Sequence, residues 1–307
     1  MKPRIVVVGS LNMDLVAQVP RLPRPGETVH GRDFRQVPGG KGANQAVAAA
    51  LLGAEVTMIG RVGDDAYGRQ LVESLQRRGV DTRPVAVTPG VTSGLALIGV
   101  EDSGQNAITV IGGANACLSA ADVAAHEEAI AAAGALVVQL EVPPATVAAA
   151  LAIARKHDVL TILDPAPAPN RPLPPELLAV DVLSPNQIEA EELAGIAVAN
   201  PLEAQRAASR LHAGGARMVV IKLGPQGAFA SDGQRLVVHV PAPRVNVVDT
   251  TAAGDAFTAA LAVALIESHP LEEATRFACA AGSLATTRRG AQDAMPTRDE
   301  VLRLAGI

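Results

Sequence analysis

The sequence predicts an α/β fold: a doubly wound, mostly parallel sheet flanked by helices, with a small β-sheet lid. Three observations predict it. From Ala120 onward, alanine-rich stretches of helical length alternate with short β-branched apolar runs, the rhythm of a parallel sheet built from βα units. Hydrophobic residues make up 49% of the 307 residues and aromatics only 2%, so the interior is built from Ala, Val, Leu and Ile. Two β-rich stretches, 15–37 and 91–111, interrupt the helical texture and are placed to pair into one separate sheet.

Residues 5–8 form a buried strand ending at Gly9-Ser10. Asn12 and Asp14 follow at its carboxyl end, the edge where open α/β sheets bind ligands. These short polar side chains either hold substrate hydroxyls or simply form the turn. Between Leu15 and Val37, Pro20, Pro23, Pro25 and Gly26 punctuate β-prone pieces at 16–19 and 28–30. Pro38-Gly39-Gly40-Lys41-Gly42-Ala43-Asn44 then opens a helix through 46–52, capped by Gly53. Its glycines permit close backbone approach, while Lys41 and Asn44 bring polar groups to the mouth of an otherwise apolar helix. No GKS or GKT follows, and no GxGxxG follows a strand, so P-loop and dinucleotide-binding readings both fail. A strand at 55–60 and a helix from Gly63-Asp64-Asp65 to about Gly79 come next. The second β-rich stretch reads as strands 93–100 and 107–111 about a hairpin turn at Glu101-Asp102-Ser103-Gly104.

The regular part predicts helix 120–133, strand 135–140, helix 144–157 and strands 160–163 and 181–183. Glu141 and Asp164 sit just after strand ends, on the ligand edge. The proline-rich stretch 165–175 lies between strongly periodic segments and reads as a fixed surface loop. Asn186 with Glu189, ahead of helix 190–194, is either a capping box or a pair arranging a nucleotide phosphate and its hydrated Mg²⁺. Strand 218–223 runs into Gly224-Pro225-Gln226-Gly227, a tight turn that rests against a nucleotide or joins two hairpin strands. Near the end, Arg288, Arg289 and Gly290 follow a small-residue helix.

The most informative stretch is 247–257, where a β-branched segment passes through Thr250-Thr251-Ala252-Ala253-Gly254 into the apolar helical run 258–266. Small residues at such a junction let a ligand approach the backbone, and the first amides of a helix have no internal partner. An anion is the natural guest. Asp255, in the first turn, would repel that anion unless it does chemistry there. Amides that stabilise charge on a phosphoryl group, beside a base that takes a proton, point to phosphoryl transfer to a hydroxyl. A glycine turn with an N-terminal aspartate is the plain alternative.

Composition excludes several classes. A formal net charge of -5, without a Lys/Arg cluster, argues against nucleic-acid and anionic-membrane partners, and scarce aromatics argue against base stacking. The first apolar run is too short for a signal peptide, and no segment reaches membrane-spanning length. Cys117 and Cys279 lack CxxC spacing and read as free thiols and small core residues in a reducing cytoplasm. The histidines at 30, 126, 157, 212, 239 and 269 have no ligand spacing, so a zinc site is not expected.

Gly9-Ser10-Leu11-Asn12-Met13-Asp14, Pro25-Gly26-Glu27-Thr28, Gly39-Gly40-Lys41-Gly42-Ala43-Asn44-Gln45-Ala46, Asn186 with Glu189, and the stretch 249–255 occur in this order and at these intervals. Together they resemble the ribokinase family of carbohydrate and nucleoside kinases, the phosphofructokinase-B-like group, over essentially the whole chain. The resemblance implies a catalytic and nucleotide-binding α/β domain from 1–14, 38–90 and 112–307, and a lid from 15–37 plus 91–111 that covers substrate and clasps a second subunit in a homodimer. It implies cytoplasmic, ATP-dependent phosphorylation of D-ribose at the 5-hydroxyl. Asp255 would be the catalytic base, with the amides of Ala252, Ala253 and Gly254 as anion hole. Asn12, Asp14, Gly40, Lys41, Gly42, Asn44 and Glu141 match sugar-holding positions, and Asn186, Glu189, Lys222, Gly224, Gly227, Gly254 and Cys279 match the nucleotide site. Mg²⁺ would accompany ATP, and an activating K⁺ would sit among Asp249, Thr251, Ala285, Arg288 and Gly290, mostly on backbone carbonyls.

The alternatives are a related kinase for deoxyribose, another sugar or a nucleoside, and a non-catalytic sugar-binding regulator on the same fold. Five positions depart from the family pattern. Ala294 replaces a serine of the cation shell, Thr258-Ala259 replace Asn-Gly after the base, and Cys279 replaces a histidine seen in some members. Lys222 stands where Thr is frequent, and its ammonium either reaches a phosphate or points to solvent.

Overall fold

The computed structural model describes residues 2–168 and 172–307; Met1 and residues 169–171, within the expected proline-rich loop, lie outside the described residues. Among the described residues thirteen strands make two sheets. In chain order they are β1 (Arg4–Val8), β2 (Asn12–Val19), β3 (Asp33–Gly39), β4 (Glu55–Gly63), β5 (Val85–Thr88), β6 (Gly94–Glu101) and β7 (Asn106–Ile111), then β8 (Ala135–Val138), β9 (Leu160–Leu163), β10 (Val182–Leu183), β11 (Met218–Lys222), β12 (Ala228–Ser231) and β13 (Val237–Val240). The large sheet has the order β13-β12-β11-β10-β9-β8-β1-β4-β5, and the small one β3-β2-β6-β7. From β11 to β5 the large sheet is parallel; β12 and β13 close its edge as an antiparallel hairpin.

The central strands β1, β8, β9 and β10 are almost wholly apolar because both faces are covered. Ile5 and Val7 belong to one hydrophobic core, Val6 and Val8 to the other. The first core is completed by helices Lys41–Leu51, Ala253–Ile266 and Leu271–Ala285, and the second by Pro144–Lys156, Gln187–Ala194 and Pro201–Ala213. Alanines along these helices let them lie close to the sheet and to one another. Gly42 shows how close: an added Cβ would come within 2.7 Å of the Ser10 backbone nitrogen.

The small sheet draws β2 and β3 from the first β-rich stretch and β6 and β7 from the second, with β2 and β6 parallel at its centre. It starts earlier and ends later than expected, so Asn12, Asp14 and Gly39 are themselves on its strands. The hairpin between β6 and β7 turns where expected, with the Gly104 amide donating to the Glu101 carbonyl at 2.9 Å.

Several expectations are corrected. Residues 28–30 form no strand; the partner of β2 lies further on, at 33–39, where seven residues pair in register with it. The expected helix 120–133 is two short helices, Ala120–Ala124 and Glu127–Ala131, because His126 leaves helical geometry (φ −119°, ψ 26°). Alanine propensity is worth only tenths of a kcal/mol per residue, and local context overrides it. Cys117 is exposed at the end of a 3₁₀ turn, not a core residue, whereas Cys279 is buried; both are free. The helix Pro201–Ala213 was not expected, although its start signal is present: Asn200 accepts from the Glu203 amide at 3.0 Å and proline follows it. No helix among the described residues is long and apolar enough to cross a membrane.

Candidate active site

Parallel register decides which side chains meet. Val8 pairs with Val138, Val138 with Leu163, Leu163 with Leu183 and Leu183 with Val219, so β1, β8, β9, β10 and β11 end on one edge. Ser10, Glu141, Asp164, Asn186 and Lys222 therefore emerge on that edge from five different strands. Helices Lys41–Leu51 and Ala253–Ile266 bring their first turns to it.

Asp255, in the first turn of the second helix, is 5% exposed. Its Oδ2 accepts from Asn44 Nδ2 at 2.9 Å and its Oδ1 from Gln45 Nε2 at 3.2 Å. Burial pushes its carboxyl up; Lys41 opposes the shift, Asp164 adds to it, and the outcome is about 6. Such a carboxylate is ionised at neutral pH yet basic enough to accept a proton. Asn44 Oδ1 is buried with no hydrogen-bond partner among the described residues, so this amide keeps an acceptor free.

The turn before Asp255 has an unusual backbone: Ala252 adopts φ 58°, ψ 11°, a left-handed conformation uncommon outside glycine. The Ala253 amide donates to the Thr250 carbonyl at 3.3 Å and is spent inside the turn. The Gly254 and Asp255 amides have no partner among the described residues, as expected of a helix start. An added Cβ at Gly254 would lie 3.8 Å from Lys222 Nζ, so free amide and ammonium face one space.

On the other flank, Glu141 accepts from Ser10 Oγ at 2.5 Å, the Lys41 amide at 3.1 Å and Asn12 Nδ2 at 3.4 Å. A carboxylate at the start of the Lys41–Leu51 helix suits its dipole. Asn12 is held at both ends, since its Oδ1 accepts from Asn115 Nδ2 at 2.7 Å. The half-buried Asp14 lies against Gly39, where an added Cβ would come within 2.4 Å of its Oδ2. Burial, with Glu141 and Asp255 nearby, raises its carboxyl to about 7. Gly40 needs its glycine twice over, for φ 90° and for a 2.6 Å approach of its absent Cβ to the Asn12 nitrogen. Gly42 donates its amide to Ser10 Oγ at 3.3 Å, so it packs the loop instead of offering a donor to a ligand. Lys41 is surrounded by Asp255, Asp164, Glu141 and Glu189; burial alone would lower its pKa, but these carboxylates together raise it.

Two cavities open here. One of about 400 Å³ is lined by Lys41, Asp164, Glu189, Lys222, Gly254 and Asp255; the other, of about 520 Å³, by Gly227, Pro243, Val245, Val247, Phe257 and Cys279 among others. They share Lys222, Gly224, Thr250 and Gly254, so they meet at the free amides. The larger is mostly apolar, with room for a flat aromatic base. Burial drives the Cys279 thiol up to about 12, which leaves it a neutral wall there. The 224–227 turn joins β11 to β12 as a hairpin, and Gly224, Pro225 and Gly227 line this cavity. Asn186 and Glu189 form the capping box, 2.9 Å and 2.8 Å in the two directions, and also line the smaller cavity.

Lys222 does not point to solvent. Its Nζ donates to Asp164 Oδ1 at 2.9 Å and Thr258 Oγ1 at 3.3 Å, with its side chain only 12% exposed. Ser10, Gln45, Asn115, Gln139 and Thr258 are network residues that the sequence assigned no site role, and Asp164, expected on the ligand edge, joins them there. One signal was available: Gln45 is a polar residue inside an otherwise apolar helix.

Of the positions expected to hold a monovalent cation, Asp249, Thr251 and Gly290 are bonded to one another, while the Arg288 side chain pairs with Glu300. Asp249 Oδ1 accepts from the Thr251 amide at 2.9 Å and Oδ2 from the Gly290 amide at 3.0 Å, while the Val248 and Asp249 amides donate to the Thr286 carbonyl. Burial alone would raise the Asp249 carboxyl, but the bonds from Gly290 and Thr251 outweigh it and hold it low. One ionised carboxylate among loop carbonyls is a donor set that fits a weakly hydrated cation. The methyl of Ala294 is buried and adds no oxygen.

A family model described as "pfkB family carbohydrate kinase" matches residues 2–298. The chain belongs to that family. Among its pfkB relatives, the ribokinase of Haemophilus influenzae is 41% identical over 304 residues, covering 98% of each chain. The deoxyribokinase of Salmonella typhi is 36% identical over 296 residues, covering 96% of each. Among solved structures, Arabidopsis thaliana ribokinase complexed with ribose and ATP superposes with a TM-score of 0.91 at 36% identity, covering both chains entirely. The ribokinase-like architecture expected from the motifs is thus the observed one, down to the separate small sheet.

Proposed function

We propose that this pfkB kinase transfers the γ-phosphoryl group of ATP to the 5-hydroxyl of D-ribose, giving ribose 5-phosphate and ADP. The single observation that carries the mechanism is Asp255: a buried, ionised carboxylate one residue from a free helix-start amide, on the wall of a cavity continuous with a larger apolar one. Relatives that are ribokinases over their full length support ribose as the acceptor.

Asp14, Lys41, Asn44 and Glu141 hold the sugar, and Asn12 orients Glu141. Asp255 accepts the 5-hydroxyl proton as the oxygen attacks. Of the Ala252–Gly254 turn expected to form the anion hole, Gly254 supplies the free amide while the Ala253 amide stays bonded within the turn, and Lys222 adds a positive charge. Asn186 and Glu189, with Gly224, Gly227 and Cys279 beyond them, hold the nucleotide. Asn186 and Glu189 would help arrange the hydrated Mg²⁺ that arrives with ATP and neutralises phosphate charge when bound; a water-retaining ion near one carboxylate plus phosphates fits this donor set. Asp249, Thr251, Ala285, Arg288 and Gly290 would hold K⁺ and through it the shape of the anion-hole turn. The small sheet, 15–37 with 91–111, covers the sugar and excludes water. Phe34, Leu97, Ile108 and Val110 are exposed on it, and a homodimer through this sheet would bury them. Free thiols at Cys117 and Cys279 suit the cytoplasm.

ADP release is the direct test, with purified protein, ATP and Mg²⁺ against ribose, 2-deoxyribose, fructose and adenosine, each in K⁺ and in Na⁺. The expected result is preference for ribose and stimulation by K⁺, with weaker cation affinity than a site carrying a hydroxyl at 294. Equal or better turnover of 2-deoxyribose would transfer the acceptor assignment to that sugar, a specific concern given the deoxyribokinase relative. No turnover with any acceptor would favour a non-catalytic sugar binder.

The pH dependence separates two carboxylates. Both work ionised, so activity is lost as pH falls. With saturating substrates, kcat is expected to fall below about pH 6 as Asp255 protonates, while KM for the sugar rises already below about pH 7 as Asp14 does. A kcat that stays flat to pH 5 would rule out Asp255 as the base.

A further inference from the structure

We propose that Gln45 is the positioning residue of the base, one amide nitrogen holding Asp255 and Asp164 together while Gln139 locks that amide's orientation. The proposal rests on the reading of Asp255 as base and adds residues to which no role has been assigned.

Gln45 is fully buried. Its Nε2 donates to Asp164 Oδ2 at 2.9 Å and to Asp255 Oδ1 at 3.2 Å. Its Oε1 accepts from Gln139 Nε2 at 2.5 Å. The direction of the chain follows: turning the Gln45 amide over would set its oxygen against two carboxylates and its nitrogen against another NH₂. Gln139 is itself confined, because an added Cβ at Gly9 would come within 2.0 Å of its Oε1. The glycine that ends β1 makes room for the amide that orients the amide that holds the base.

Two buried carboxylates sharing a donor are otherwise an unfavourable pair. An amide is neutral, so it can bond both without neutralising either, and both stay acceptors. Asp164 is further compensated by Lys222 Nζ at 2.9 Å and accepts from Thr258 Oγ1 at 3.1 Å. Asp255 receives Asn44 on its second oxygen, so each of its oxygens is held by one amide from consecutive residues of a single helix turn. The charged groups around it are Lys41 on that same helix, Asp164 after β9, Glu141 after β8 and Asp14 on β2. Lys41 carries the charge that most favours the ionised base; Gln45 carries the geometry.

The test compares Gln45→Met, Gln139→Met and Asp164→Asn, measuring kcat, KM for ATP and sugar, the pH profile of kcat and thermal unfolding, with Asp255→Asn as reference. Gln45→Met removes a bond to the ionised base, so kcat is expected to fall about 10- to 100-fold at pH 7 with both KM values within a few-fold of wild type, and the acid limb to move to higher pH. Gln139→Met is expected to shift the limb the same way by less. Asp164→Asn removes a negative charge while keeping an oxygen for Gln45, so its limb moves to lower pH. Opposite shifts are what a merely structural role would not produce. Loss of kcat in Gln45→Met in proportion to folded protein, with the limb unmoved, would overturn the proposal. Should Gln45→Met fail to fold, an unmoved limb in Gln139→Met would do so. Turnover retained by Asp255→Asn would instead overturn the base reading beneath it.

Discussion

Asp255→Asn is expected to lower kcat by roughly 10²- to 10⁴-fold, the range contributed by a well-placed general base, while ADP binding and thermal unfolding stay close to wild type. The replacement is nearly isosteric and keeps one oxygen for Asn44 or Gln45, so geometry survives and proton acceptance does not. Nearby carboxylates are poor substitutes. Glu141 is occupied by Ser10, the Lys41 amide and Asn12, and Asp164 by Lys222, Gln45 and Thr258. Single-turnover ADP release, with calorimetric binding of ADP as the control, checks it. Undiminished turnover would dismiss the base, and abolished turnover with retained biological activity in cells would favour the non-catalytic alternative.

Lys41→Met is expected to damage both activity and stability. The ammonium faces Asp255, Asp164, Glu141 and Glu189, and it is the group that most lowers the Asp255 pKa against burial. Without it the base pKa rises above about 6, so the acid limb of kcat moves up and less enzyme is competent at pH 7. Roughly 10- to 100-fold lower kcat at pH 7, partly recovered at pH 9, is the expected signature. The sign for stability follows from linkage: Lys41 has a raised folded pKa, so its contribution is fully present below the ordinary lysine value and lost as pH rises through the folded one. The variant should therefore melt lower than wild type at pH 7, and the gap should narrow only in strong alkali. A pH-independent loss would mean that Lys41 acts by contact with substrate alone.

The fold was largely readable because its signal is local. Alternation of apolar runs with alanine-rich stretches marks strands and helices whatever they later touch, and residues 5–8, 160–163 and 107–111 emerge as strands for that reason. Glycines were readable too: Gly39, Gly40 and Gly42 stand where a Cβ would meet Asp14, Asn12 and Ser10. Expectation failed where local preference was balanced. Residues 28–30 are as β-prone as 33–39, and only pairing in register with β2 selects the second. The 120–133 run is alanine-rich throughout, yet the chain breaks at His126.

Of the candidate site, the sequence by itself picked out polar residues near strand ends and helix starts: Asp14, Lys41, Asn44, Glu141, Asn186 and Asp255. Residue type and spacing from a strand end are one-dimensional quantities, so they survive in the sequence. Only the tertiary structure decided who is bonded to whom. Gln45 reaches Asp164 and Asp255 across 119 and 210 residues, and Lys222 turns away from solvent to Asp164 across 58. Those pairings exist because parallel register brings five strand ends to one edge and two helices aim their first turns at it. Burial then makes an unpaired charge costly, so the buried charged groups here take the partners that packing places within reach.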